Sequence, residues 1–142
     1  MSTVLVGSGA APRLHRRVAL LVLGCALAAC SKPGEPVKVT GIELGTFVND
    51  DKSISSPSET FAPSSTIYAS ITTEGTGAGT LKAQWVGADG QNLTEQTQQI
   101  EPTKPAHFEF HFAPPGGWPK GRHKVTFTLN GTGTRTREFE VR

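Results

Sequence analysis

The chain has 142 residues, one domain's worth of sequence, and its 14 Lys and Arg against 12 Asp and Glu give a formal net charge of +2. That balance excludes the strongly basic face that nucleic acid demands. Both cysteines, Cys25 and Cys30, fall at or before position 30, so everything beyond must be held by its apolar core without a disulfide.

The N-terminal stretch has the parts of an export signal. Arg13, His15, Arg16 and Arg17 precede an apolar run over residues 18–27. That run is too short for the roughly 20 residues a membrane-spanning helix needs, and it reads as the h-region of a cleaved helical signal peptide. Leu27-Ala28-Ala29-Cys30 resembles the bacterial lipobox. The resemblance implies cleavage between Ala29 and Cys30, diacylglycerol on the Cys30 thiol and a further acyl chain, such as palmitate, on the new amine. One chain binds a membrane only marginally, at about 0.8 kcal/mol per buried CH₂, whereas two or three hold permanently. Ser31 in place of aspartate favours the outer membrane, periplasmic side, in this class of protein. Val18-Ala19-Leu20 after Arg16-Arg17 lacks the twin-arginine pattern, which leaves the general secretory route. Residues 1–29 are therefore read as the signal peptide, 30–36 as the lipidated N-terminus and tether, and 37–142 as the folded domain. Losing Arg13, Arg16 and Arg17 leaves eleven basic residues against twelve acidic ones, so the mature chain is close to neutral. Its Ser-Lys-Pro-Gly-Glu-Pro tether spans at most roughly 20 Å.

Residues 37–48 begin the domain as a strand whose apolar parity flips at Thr40-Gly41, a break that calls for a bulge or a change of sheet. Residues 49–65 have no period and read as a loop in which Phe61 plugs a core edge. Alternation then becomes regular. Ile67, Ala69 and Ile71 face inward against outward Tyr68, Ser70 and Thr72; Leu81, Ala83 and Trp85 face inward against outward Lys82, Gln84 and Val86. Asp89-Gly90 signals a hairpin. Residues 93–100, rich in Thr and Gln, read as an exposed edge strand. Phe108, Phe110 and Phe112 alternate with His107, Glu109 and His111 as the clearest core strand. A rigid Pro/Gly turn over residues 114–121 follows, then Val125, Phe127 and Leu129 inward, an Asn130-Gly131 hairpin, and a last strand closed by Phe139 and Val141. No helical period appears after Cys30. The pattern predicts an all-β fold, a two-sheet antiparallel Ig-like β-sandwich of about seven strands, with Trp85 where such sandwiches bury a tryptophan.

Phe61-Ala62-Pro63 before Thr66-Ile67-Tyr68-Ala69-Ser70, Trp85, Gly117-Trp118-Pro119-x-Gly-x-His-x-Val, Asn130-Gly131 and Phe139-Glu140-Val141 together resemble a group of uncharacterised proteobacterial lipoproteins with one Ig-like domain. The likeness covers residues 37–142, and its motifs are structural. His123 stands where those proteins usually carry tyrosine, whose hydroxyl bonds back to the backbone at the start of the penultimate strand.

No catalytic pattern is visible, so the chain reads as a non-enzyme without cofactor or metal. The Gly75-Thr76-Gly77-Ala78-Gly79 run lacks the helix a phosphate loop requires. His107, Glu109 and His111 form a solvent-facing ladder in which only adjacent members are close enough to share an ion. Asp50-Asp51 reads as a solvated turn. Trp118 and Tyr68 are the possible binding residues, with core capping the first reading of Trp118. The function these features imply is a membrane-anchored envelope lipoprotein, an Ig-like interaction or accessory module for an envelope protein partner. The alternatives are a small-ligand or glycan-binding lipoprotein and a loop-presenting protease inhibitor.

Overall fold

The computed structural model describes residues 34–142; the signal peptide and the Cys30 attachment site lie outside the described residues. Eight strands follow in order: β1 Lys38–Gly45, β2 Thr60–Phe61, β3 Ile67–Glu74, β4 Gly79–Val86, β5 Asn92–Ile100, β6 Ala106–Phe112, β7 Gly121–Leu129 and β8 Thr132–Val141. They form a three-stranded sheet, β1-β3-β6, and a five-stranded sheet, β2-β8-β7-β4-β5. The inward faces of both sheets meet in one apolar core that runs from Val37 to Val141, so the domain is a β-sandwich.

The core is the one the alternation predicts. Ile67, Ala69 and Ile71 of β3 and Leu81, Ala83 and Trp85 of β4 are fully buried, as is Val125 of β7, with Phe127 at 1% exposure. The parity flip in β1 is a bulge: its pairing with β3 shifts register between Val39 and Gly41. The strand keeps both halves in one sheet, and Val39, Ile42 and Leu44 all reach the core. Asn130 and Gly131, with φ of 53° and 72°, make the two-residue β7-β8 turn, whose backbone twist matches the flanking strands when both central residues have positive φ.

Four details depart from the sequence expectations. The 49–65 stretch contains β2, which pairs in parallel with the end of β8, so the sheets are not wholly antiparallel; two residues are too few to leave a period. Phe61 is buried against Phe139 as expected. Val86, expected to face outward, is buried at the register shift between β4 and β5. Ser70, also expected to face outward, is 1% exposed. It lies on the central strand, paired on one side with Glu43 of β1 and on the other with Glu109 of β6. Finally, β6 is an edge strand: Phe110 is buried, but Phe108 and Phe112 are only partly so.

Candidate functional site

The outer face of the three-stranded sheet holds the densest set of reactive side chains. Tyr68, Ser70 and Thr72 of β3 stand directly opposite His111, Glu109 and His107 of β6. Thr72 Oγ1 lies 3.1 Å from His107 Nδ1, Glu109 bonds His111 Nδ1, and the Tyr68 ring lies over the His111 imidazole with centroids 5.1 Å apart. Each imidazole is thus tied to a neighbour across or along the strand. Among the described residues no three His, Cys, Asp or Glu side chains converge as metal ligands. The Ser70 hydroxyl is buried without a partner and, at 1% exposure, is closed to a substrate. This face is a hydrogen-bonded surface, with Tyr68 partly exposed on it.

Trp118 is 3% exposed. Its ring lies 5.3 to 6.0 Å from those of Trp85, Phe112, His123 and Phe139, and its indole N–H donates to the Ser65 carbonyl at 2.9 Å. As a stacking platform for a ligand Trp118 is set aside, because every neighbour a sugar would displace is already a core side chain. His123 beside it is 1% exposed and stacks on Phe139. Its Nε2 lies 2.6 Å from the Pro119 carbonyl. A carbonyl can only accept, so Nε2 carries the proton and Nδ1 is left as a buried acceptor without a partner.

Residues 49–53 form a braced turn. Asn49 N–H donates to the Ser53 carbonyl and Lys52 N–H to that of Asn49. The hydroxyl and backbone N–H of Ser53 bond Asp51 and hold its carboxyl below the usual carboxylate range. Val48 and Ile54 bridge the base of the turn, and beside them Phe47 is 66% exposed. Sequence periodicity carries no signal for this aromatic because it belongs to no strand.

The sandwich has four lateral sheet edges, and three are obstructed. Arg137 Nε donates to Ile42 O on the free edge of β1 at 2.9 Å. Gln96 Nε2 donates to His111 O on the free edge of β6 at 2.9 Å. β8 is covered by β2 at residues 140 and 141. Below that point Arg135 and Arg137, the partners of inward-facing Phe127 and Val125, point charge inward, a device that discourages strand addition. β5 has no such guard among the described residues. Its nine residues contain no proline and one charge, and that charge, Glu95, is bonded 2.7 Å from Lys82, which lowers its carboxyl pKa. The sequence expectation of an edge at residues 93–100 therefore matches the strand order. No protein-family model matches this chain, and no curated protein is significantly similar to it.

Proposed function

We propose that this chain is a lipoprotein anchored to the cell envelope through Cys30, whose Ig-like domain serves as an interaction module and takes its partner at the β5 edge. The single observation that carries the interaction role is the contrast, among the described residues, between three obstructed edges and one left open. The strand order supports the Ig-like reading: such domains set their first two strands in the sheet opposite the third, sixth and seventh, and here, leaving aside the two-residue β2, β1 and β3 lie in the sheet opposite β4, β7 and β8. So does Trp85, fully buried on β4, and so does His123 at the start of β7, bonding back four residues to Pro119, where such domains place a tyrosine. Support for the anchor is the order of basic residues, apolar run and Leu-Ala-Ala-Cys in the sequence.

Substituting Cys30→Ser is expected to move the protein from the membrane fraction to the soluble fraction of cells. Mass spectrometry of the wild-type chain is expected to find an acylated cysteine at its N-terminus. An unmodified N-terminus would sink the anchor. A photo-crosslinking residue at position 97 is expected to capture an envelope protein in cells, with the same residue at position 126 capturing none; equal capture at both would sink the edge.

One observation favours a second reading, a loop-presenting protease inhibitor: Phe47 stands exposed beside a braced turn, which is how a fixed loop offers an aromatic side chain to a pocket. The full chain titrated against a protease that prefers aromatic residues should then inhibit it, and Phe47→Ala should weaken inhibition by about tenfold or more. No inhibition by an excess of wild-type chain would retire this reading.

A further inference from the structure

Which β5 groups are open follows from hydrogen bonds on the far side of β4. Thr80 N–H donates to Asn130 Oδ1 at 2.8 Å, and Thr80 O accepts the Asn130 N–H at 2.9 Å. Both main-chain groups of Thr80 therefore point toward β7. Direction alternates along a strand, so Leu81, Ala83 and Trp85 point toward β5 and bond their partners Gln98, Gln96 and Thr94. Glu95, Thr97 and Gln99 are left with N–H and C=O groups turned outward, one set every 6.8 Å or so.

Beside that row lies an apolar ledge. Phe108, Phe110 and Phe112 are paired with Ile71, Ala69 and Ile67, whose side chains are wholly buried, so all three rings face inward. Phe110 is buried, while Phe108 and Phe112 are partly exposed. Their own sheet covers them from outside and β6 is an edge strand, so the ledge is taken to open toward the flank of the sandwich. The bond from Gln96 to His111 O sets the β5 and β6 edges side by side on that flank.

Building on the edge reading above, we infer that β5 accepts an extended amphipathic segment. Its main chain pairs with Glu95, Thr97 and Gln99, and its alternate apolar side chains cover Phe108 and Phe112. Side chains of an added strand alternate between solvent and the flank. Those on the flank continue the row of Thr94, Gln96 and Gln98 and come over the two phenyl rings. A second copy of this chain is a poor occupant, because its own β5 would lay threonine and glutamine on those rings. The edge also calls for no charge in its partner, since Lys82 already neutralises Glu95.

The test uses the full chain in detergent micelles and two synthetic peptides of one composition, each matched to the nine residues of β5. In one, valine and threonine alternate between terminal lysines; in the other, the valines are contiguous. The alternating peptide is expected to bind and to slow amide exchange at Glu95, Thr97 and Gln99, with the permuted peptide about tenfold weaker. Thr97→Pro should abolish binding without lowering the melting temperature, because its N–H is outside the β4 ladder; Phe108→Thr provides a second variant that removes part of the ledge and keeps every edge donor. Equal binding of both peptides overturns the inference, as does binding that survives both substitutions. Failure of both peptides also overturns it, and a dimer of the full chain that Thr97→Pro dissociates would then make the second copy the occupant. If photo-capture from position 97 persists while the two peptides bind alike, the edge reading stands and the amphipathic requirement alone falls.

Discussion

Replacing Trp118 with alanine is expected to cost about 4 kcal/mol, within the range for truncating a buried tryptophan, and to lower the melting temperature by about 15 °C or more. The indole fills the space between Trp85, Phe112, His123 and Phe139, and a methyl group leaves it empty. The substitution also strips the Ser65 carbonyl of its donor, and with it one tie between the 62–65 segment and the 114–121 turn. The companion tie, from Trp118 N–H to Pro63 O at 2.7 Å, is main chain and survives. A domain of this size has a total stability of about 5–15 kcal/mol and here no disulfide to limit the unfolded chain, so the loss is a large share. Thermal denaturation of the wild-type chain, Trp118→Ala and Trp118→Phe measures it. The phenyl variant should recover more than half of the loss, because most of the cost is volume. A wild-type melting curve for Trp118→Ala would mean that the indole lies outside the core and would restore it as a ligand platform.

The second large effect is expected at His123, where the sign depends on what replaces the ring. His123→Ala should cost about 3 kcal/mol, since it removes a ring stacked 5.5 Å from Phe139 and leaves a cavity at the base of β7. His123→Phe should cost less than about 1 kcal/mol. It forfeits the bond to Pro119 O, which belongs to an exposed residue and can turn to water. It also removes the buried Nδ1 that has no partner, an atom whose desolvation works against the folded state. Chemical denaturation of the two variants separates these terms. Equal losses for alanine and phenylalanine would show that the hydrogen bond, and not the packing, holds the turn.

Much of the fold can be read from alternation alone, and the reason is visible at β3, β4 and β7. Each contributes a row of fully or nearly fully buried apolar residues, and a strand buried on one face writes its register into every second position. Where that condition fails the reading fails with it. β2 is two residues long and pairs across about 80 positions with the end of β8, a contact no local pattern encodes. Ser70 is buried on the central strand of its sheet, a placement its own polarity does not encode. For β6, the phenylalanines mark an inward face correctly but say nothing about whether a further strand lies beyond it. The open edge itself was legible because Thr and Gln without apolar alternation are what a strand paired on one side tolerates. The devices on the other three edges were not, since Arg137 meets Ile42 across 95 positions of sequence and Gln96 meets β6 through a side chain.

On the edge proposal, the obstruction of β1, β6 and β8 would set a ceiling on how many strands one molecule takes. A particle that could join strands on two margins would propagate, adding copies or partners without limit into a filament. If β5 is the receptive edge proposed above, then with the other edges of the described residues closed by an arginine, a glutamine and a pair of inward cations, each molecule would terminate a row but not extend it, and additions through sheet edges would stop at one.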